Sequence, residues 1–153
     1  MKKVIVSIAA TFILAVSISA QTTATWQGGK PGRTTDWNCA ANWSEGRIPD
    51  EFTLAIIPAG VEYYPVIKKE VMSIDALLME AGTSLTLQNG AFLKVLGETG
   101  RFDGLTIFGE IINNGTLQIG AISSTGVAYM QHIQGIGAVI NSFANLDSLA
   151  KGQ

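Results

Sequence analysis

A short repeated unit in residues 82–120 constrains the fold of this 153-residue chain more than any other feature. Each copy consists of a glycine-containing turn followed by an apolar, a polar and an apolar residue. Because side chains alternate between the two faces of a strand, such triplets are typical of short strands with one buried face. Turns that return about every 8 to 12 residues then predict an all-β protein. The four clear copies are Leu85-Thr86-Leu87, Leu93-Lys94-Val95, Leu105-Thr106-Ile107 and Leu117-Gln118-Ile119.

Two arrangements of these strands fit the pattern. Residues 88–91 and 113–116 contain Asn-Gly, which is typical of type I′ turns, and such turns would join antiparallel hairpins into a β-sandwich. Alternatively, each turn bends the chain to the next face of a coil, and strands about 20 residues apart stack in parallel. Leu85 would then lie under Leu105, with adjacent coils about 4.8 Å apart. The repeats by themselves leave both arrangements open.

Residues 1–20 have the composition of a secretory signal peptide of bacterial type. Lys2 and Lys3 give a positive start, residues 4–16 are apolar, and small residues follow up to Ala20. We expect cleavage after Ala20, and an exported protein that is extracellular, cell-surface or periplasmic. The apolar run is shorter than the roughly 20 residues that span a bilayer, so no membrane span is expected once the leader is removed.

The charge balance argues against a nucleic-acid partner. The formal net charge is −2, and removal of Lys2 and Lys3 with the leader leaves 8 basic and 12 acidic side chains, a balance of −4. A protein that binds nucleic acid needs a basic face that displaces counterions from phosphates. Charged residues make up only 14% of the chain, against roughly 25% in an ordinary soluble domain, as expected for stacked, half-buried strands.

Few residues suggest metal or nucleophile chemistry, and no cofactor is implied. Cys39 and His132 are single residues of their kinds, so no intrachain disulfide can form. A Cys–His dyad would need both in one place, and a buried thiol and a half-exposed strand histidine are the favoured interpretations. Asp50, Glu51 and Glu62 could hold calcium with backbone carbonyls, but they lack the alternating spacing of a calcium loop and predict a solvated turn.

Residues 25–44 contain all three tryptophans of the chain and no helical pattern, because glycines and a proline interrupt them. Large indoles could pin this irregular segment over the open end of a sheet stack, which is the interpretation we favour. They could instead stack on sugar rings together with two nearby tyrosines. The candidate glycan-stacking residues are Trp26, Trp37, Trp43, Tyr63 and Tyr64.

Taken in order over residues 25–120, a series of motifs resembles the start of secreted, repetitive β-helix surface proteins of Bacteroidetes-type bacteria. The resemblance implies a short right-handed parallel β-helix with capped ends, export, and an adhesive or structural use. It implies no catalytic residues. The motifs, which precede the glycine-punctuated L-x-L units and their final Asn-Gly turn, are Trp37-Asn38, Ala41-Asn42-Trp43-Ser44, Ile48-Pro49, Ile57-Pro58-Ala59-Gly60, Pro65-Val66-Ile67 and Asn113-Asn114-Gly115-Thr116-Leu117.

With this resemblance we expect a β-helix in four parts. Residues 1–20 form the signal peptide, residues 21–65 a tryptophan-rich N-terminal cap with the first strands, and residues 66–137 the coils. Open ends of a coil stack must be capped. Apolar residues at helical spacing predict an amphipathic capping helix over residues 138–151, with a frayed tail over 138–153 as the alternative. Residues 71–81 are ambiguous between helix and strand, and residues 127–136 predict a last strand.

Three functions fit these features. The favoured one is an exported, non-catalytic protein with an adhesive, matrix or envelope-structural role, whose partner would be an extracellular glycan or surface matrix. The second is a carbohydrate-binding module that uses the aromatic residues named above. The third, a polysaccharide lyase or hydrolase, needs converging carboxylates or a calcium cluster with a basic residue. The charged candidates near the repeats are Lys94, Glu98, Arg101, Asp103 and Glu110, whose spacing predicts exposed positions.

Overall fold

The structure, a computed structural model, describes residues 21–97, 104–120 and 131–141. Within these ranges the chain forms β-strands, a turn of 3-10 helix at Ala40–Asn42 and a short 3-10 turn at residues 131–132, and no α-helix. The predicted all-β class is therefore confirmed. The strands are β1 (Thr22–Thr25), β2 (Thr53–Ile57), β3 (Val66–Ile67), β4 (Ala76–Met79), β5 (Ser84–Leu87), β6 (Phe92–Val95), β7 (Leu105–Ile107), β8 (Glu110–Asn113), β9 (Thr116–Ile119), β10 (Ile133–Gln134) and β11 (Ala138–Asn141).

These strands form three parallel sheets. The first sheet has the order β1-β2-β4-β7, the second β10-β8-β5-β3 and the third β11-β9-β6. The chain passes from β4 in the first sheet to β5 in the second and β6 in the third, and β7, β8 and β9 repeat that sequence one layer further on. Strands β5 and β6 are neighbours in sequence but lie in different sheets. The antiparallel sandwich of hairpins is therefore wrong.

The expected spacing of about 20 residues holds for four of the eight described strand pairs, which are separated by 20 or 22 positions, and is wrong for the other four. Leu85 pairs with Ile111 rather than with Leu105, and Leu105 pairs with Leu77. The separation of paired residues ranges from 20 positions between β3 and β5 to 31 between β1 and β2. The reason is that the connections between strands differ in length, so that one spacing does not apply to successive layers.

The Asn-Gly turns do not adopt the type I′ geometry that hairpins need. That geometry requires positive φ at both central residues, and no non-glycine residue in the described ranges has it. In the Asn89-Gly90 turn, Gly90 has a positive φ of 80° and Asn89 does not. Gly115 is needed for a different reason: a Cβ there would overlap the carbonyl oxygen of Ala91 and lie 2.7 Å from that of Gln88 in the layer below.

Apolar side chains stack inside the three sheets, one layer above another. In the repeats, the outer members of each triplet are buried and the polar residue between them is half-exposed. Burial of one such Leu or Ile contributes about 1.5–3 kcal/mol, so these columns are the main stabilising element. Columns that run through paired residues are Ala24, Ala55, Leu77 and Leu105 in the first sheet, Leu85 and Ile111 in the second, and Leu93 and Leu117 in the third.

The helix predicted to begin at Ala138 is wrong at its start. Residues Ala138–Asn141 are strand β11, which pairs in parallel with β9 and places Val139 over Leu117. Val139 and Ile140 are β-branched and fit a pleated surface, and this packing overrides the helical spacing. The remainder of that prediction, residues 142–153, lies outside the described residues, as do the leader and residues 127–130.

The structure also settles the bounds of two strands that the sequence left broad or ambiguous. The ambiguous residues 71–81 contain strand β4, and the expected last strand over 127–136 is reduced to β10 in the part that is described. In the described part of the chain, no helix is long and apolar enough to cross a lipid bilayer.

Candidate functional site

The three tryptophans lie in the core. The exposed fractions of Trp26, Trp37 and Trp43 are 0%, 0% and 1%. Trp43 sits between the other two, with ring centroids 5.1 Å from Trp26 and 4.7 Å from Trp37 and interplanar angles of 80° and 77°. Such edge-to-face pairs are each worth about 0.5–1.5 kcal/mol beyond the area they bury. The indoles therefore stabilise one another and the residues around them.

The indole N–H groups differ in their hydrogen bonding. Trp26 Nε1 donates to the carbonyl oxygen of Tyr63 at 2.7 Å, and Trp43 Nε1 donates to that of Trp37 at 2.9 Å. Trp37 Nε1 is buried without a hydrogen-bond partner in the described structure. A buried donor without a partner costs about 1–3 kcal/mol. Trp26 and Trp43 are thus held both by ring packing and by an indole hydrogen bond, and Trp37 is held by packing alone.

Asn42 is the polar centre of the tryptophan-rich segment. Its side chain is completely buried and uses both of its polar atoms. Nδ2 donates to the carbonyl oxygens of Arg33 and Asp36 at 2.7 and 3.0 Å, and Oδ1 accepts from the backbone N–H of Lys30 at 2.9 Å. One amide therefore fixes three points of an irregular loop. A single turn of 3-10 helix delivers Asn42 to this position, and no local sequence pattern marks it as a hub.

The segment covers the end of two sheets through backbone hydrogen bonds. Beside β3, Trp37 N–H donates to Val66 O at 3.3 Å, and Val66 N–H donates to Thr35 O at 2.7 Å. Beside β1, Ser44 N–H donates to Thr25 O at 2.9 Å. Both strands are outermost in their sheets. The outward backbone groups of Val66 in β3 and of Thr25 in β1 are therefore satisfied by the segment.

An ion pair at the surface holds the middle of the segment. Arg33 Nη2 and Nε donate to Asp36 Oδ2 at 2.7 and 2.9 Å. Burial pushes the pKa of Asp36 upward, but hydrogen bonds from Arg33 and from the Asn38 N–H, with the charges of Arg33 and Lys68, outweigh it and hold the pKa below its usual value. The hydrogen bond and charge of Asp36 raise the pKa of Arg33. Because Arg33 is exposed to water, which screens its charge, the pair contributes little to stability.

The carboxylates considered for calcium are used in a turn. Asp50 Oδ1 accepts hydrogen bonds from Thr53 Oγ1 at 2.6 Å and from the Phe52 N–H at 3.1 Å. Glu51 and Glu62 are exposed. In the described ranges, His, Cys, Asp and Glu side chains form no group of three that could hold a metal ion.

Two further carboxylates connect different layers of the first sheet. Asp75 is buried at the start of β4 and accepts a hydrogen bond from Gln21 Nε2, just before β1. Glu80 Oε2 accepts from the backbone N–H of Ala59 at 2.9 Å. Hydrogen bonds from a backbone N–H to an ionised carboxylate are among the stronger ones in proteins. These side chains are engaged in structural bonds.

The five candidate glycan-stacking residues do not form one aromatic surface. The tryptophans present no face to solvent, so the prediction that they stack on sugars is wrong for this structure. Tyr64 is half-buried and packs against the core, and Tyr63 is 37% exposed. A hydrogen bond to Glu62 and the charge of that carboxylate raise the pKa of Tyr63.

The structure separates the other candidate residues. Cys39 is buried in the tryptophan-rich segment beyond β3, whereas His132 lies next to β10 at the opposite end of the second sheet. His132 is half-buried, precedes β10 in a short helical turn, and its Nδ1 is 2.9 Å from Gly109 O. The two therefore form no dyad. Lys94 and Glu110 are half-exposed in different sheets, and residues 98, 101 and 103 lie outside the described ranges.

Comparisons with protein-family models, with curated proteins and with solved structures give no match to this chain.

Proposed function

We propose that the protein is an exported, non-catalytic parallel β-helix that serves an adhesive, matrix or envelope-structural role. The three parallel sheets are the faces of a short right-handed helix, and the tryptophan-rich segment is its N-terminal cap. Parallel strands joined by crossovers in one sheet are right-handed in nearly all known cases. The signal-peptide pattern of residues 1–20 and the resemblance of residues 25–120 to secreted surface proteins support export.

The observation that carries this proposal is the order in which the chain visits the sheets. Strands β4, β5 and β6 lie in the first, second and third sheet, and β7, β8 and β9 follow in the same order. These two layers each add one strand to every sheet, and repetition of this kind is how solenoid proteins build extended, regular surfaces. Such a surface suits many weak contacts with a matrix or glycan rather than a single deep site.

The polar side chains at the N-terminal end support the same proposal. Asn42, Asp50 and Glu80 satisfy backbone groups of the protein itself, and Asp36 pairs with Arg33. A catalytic carboxylate needs to reach a substrate atom directly or through one water. In the described part of the chain, these groups are used to hold loops and layers in place.

Export is tested by expressing the tagged full-length chain in a bacterium and sequencing the amino terminus of the mature protein. We expect recovery outside the cytoplasm with Gln21 as the first residue. A matched control, Leu14→Arg, places a charge in the apolar run and should leave the uncleaved chain in the cytoplasm. Uncleaved wild-type protein in the cytoplasm would overturn the export part of the proposal.

The structural role is tested separately on the purified protein and in the native host. Deletion of the gene should reduce surface attachment or the mechanical integrity of the matrix, and the purified protein should leave the viscosity of a panel of polysaccharides unchanged. A fall in viscosity would instead support the lyase or hydrolase hypothesis. Saturable binding of a glycan that shifts tryptophan fluorescence would support the carbohydrate-binding module.

A further inference from the structure

The chain contains two Asn-Gly pairs, Asn89-Gly90 between β5 and β6 and Asn114-Gly115 between β8 and β9. Both lie where the chain passes from the second sheet to the third, in successive layers. The side chain of asparagine is chemically labile. It is most so before glycine, because the backbone nitrogen of the glycine can attack the side-chain amide with no Cβ to hinder the approach. By sequence the two pairs are equivalent, but the structure gives them different surroundings.

The Asn89-Gly90 pair is open. Both residues are exposed. Ala91 N–H donates to Gln88 O at 2.9 Å, and Gly90 has φ of 80°, as in a type II turn. This turn leaves the Gly90 N–H outside its hydrogen bond, and the described structure gives that N–H no acceptor. A Cβ built on Gly90 would meet nothing within 4 Å beyond its chain neighbours. The attacking nitrogen is therefore free and has room to move.

The Asn114-Gly115 pair is held between two layers. Gly115 N–H donates to Asn113 Oδ1 at 3.1 Å. Asn114 N–H donates to Leu87 O in the layer below at 2.8 Å, and Gly115 O accepts from Ala138 N–H in the layer above at 2.9 Å. Attack of the Gly115 nitrogen on the Asn114 amide would require these hydrogen bonds to break. The layers therefore oppose the reaction at this pair.

We propose that Asn89 is a site of spontaneous chemical modification in the folded protein, and that the stacked layers protect Asn114 from the same reaction. Gly90 N bonds to Asn89 Cγ, the Cγ–Nδ2 bond breaks, and Nδ2 leaves as ammonia with the proton of the Gly90 N–H. The cyclic imide then adds one molecule of water. Addition at the Cγ carbonyl gives aspartate, and addition at the backbone carbonyl gives isoaspartate, in which the main chain continues through Cγ.

The isoaspartate product should disturb the next layer. Gln88 O and Ala91 O flank the labile pair and lie under Gly115, and Ala91 O accepts from Thr116 N–H at 2.8 Å. Isoaspartate adds one methylene to the backbone between these two carbonyls, where close packing leaves no room for a longer turn. Both products also add a negative charge. The turn therefore converts the age of the protein into a loss of stability, whatever function the protein serves.

The test is incubation of the purified protein in warm, mildly alkaline buffer, followed by mass spectrometry of its peptides over time. We expect Asn89 to react at least about tenfold faster than Asn114, which corresponds to about 1.4 kcal/mol in activation free energy. The matched control is the same incubation in guanidinium chloride, which removes the layers and should bring the two rates close together. Equal or slower reaction at Asn89 in the folded protein, or a preference for Asn89 that persists in the denaturant, would overturn the proposal.

A second measurement separates the added charge from the longer backbone. Asn89→Asp carries the charge without the extra methylene and should unfold in urea at the same midpoint as the wild type, because the turn is exposed. Protein enriched in isoaspartate at position 89 should unfold at a lower urea concentration. An unchanged midpoint for the isoaspartate form would contradict the predicted effect on the next layer.

Discussion

Replacement of the tryptophans by phenylalanine gives a direct test of the cap, because the same change is made at buried sites that differ in the hydrogen bonding of the indole N–H. Trp37 and Trp43 are 0% and 1% exposed and contact each other. Trp43 Nε1 has an acceptor, Trp37 O, whereas Trp37 Nε1 has none in the described structure. The two variants therefore share the loss of ring volume and differ in the fate of a hydrogen bond.

The expected magnitudes follow from these contacts. Loss of part of a buried ring costs about 1–2 kcal/mol at either site, less than the about 3–5 kcal/mol of a change to alanine. Trp43→Phe also breaks a buried hydrogen bond, which adds about 1–3 kcal/mol, while Trp37→Phe removes an unpaired donor and recovers a similar amount. We expect Trp43→Phe to destabilise by about 3 kcal/mol and Trp37→Phe to be close to neutral.

The assay is urea unfolding of residues 21–153 followed by far-UV circular dichroism, which does not depend on the number of tryptophans. A difference of about 2 kcal/mol or more between the variants corresponds to a separation of roughly 1 M in their midpoints. Trp26→Phe should behave like Trp43→Phe, since Trp26 Nε1 donates to Tyr63 O. Equal losses at Trp37 and Trp43 would refute the reasoning, because the unpaired donor would then have no energetic consequence.

Three further sets of variants test the role of Asn42, the glycine turns and the Arg33–Asp36 ion pair. Asn42→Ala removes three buried side-chain hydrogen bonds and should lower the free energy of unfolding by about 3 kcal/mol in the urea assay, whereas Asn89→Ala in an exposed turn should change it by less than about 0.5 kcal/mol. Gly90→Ala should lower the free energy of unfolding by about 1–2 kcal/mol, because Gly90 has a positive φ. Gly115→Ala should lower the thermal midpoint by more than Gly90→Ala does, because the added Cβ would overlap backbone oxygens. A smaller drop in the midpoint at Gly115 than at Gly90 would contradict the stacked turns. The lowered pKa of Asp36 contributes stability above its unfolded pKa of about 3.9 that is lost as pH falls through the folded value. Wild type should therefore lose more stability than Asp36→Asn below about pH 4, and parallel pH profiles would exclude that contribution.

The repeat pattern was sufficient to predict the class of fold and the faces of its strands. Apolar and polar residues alternate in the L-x-L-type triplets of β5, β6 and β9, and the structure buries the apolar ones. Alternation fixes which side of a strand is buried, because it is a property of the strand alone. It does not fix the partner strand, which depends on connection length. For this reason the register of Leu85 with Leu105 was wrong although both residues are buried.

The N-terminal segment was only partly predictable. Its lack of periodicity and its three indoles indicated an irregular region held by aromatic packing. The role of Asn42 could not be read from the sequence, because its partners are backbone groups of Lys30, Arg33 and Asp36 whose position depends on the folded loop. Exposure of the indoles could not be read either, since stacking on sugar and packing in a core require the same residue type.

The C-terminal prediction failed through a competition between two periodicities. Val139, Ile140 and the apolar residues that follow them recur at helical spacing, and the asparagines and serines among them weakened the helix prediction without excluding it. The strand at Ala138–Asn141 forms because β9 offers a parallel partner over its whole length. Long-range pairing of this kind is not visible in a window of a dozen residues.

The central claim, that successive layers stack in parallel, is tested most directly by engineered cross-links in a Cys39→Ala background. Thr86 and Ile112 are paired residues of β5 and β8 and point outward. Paired residues of adjacent strands lie about 5 Å apart, within the range that a disulfide spans. The account predicts that Thr86→Cys with Ile112→Cys oxidises readily to an intramolecular disulfide, and that Thr86→Cys with Lys94→Cys does not. Rapid oxidation of the second pair and none of the first would show antiparallel hairpins and contradict the account.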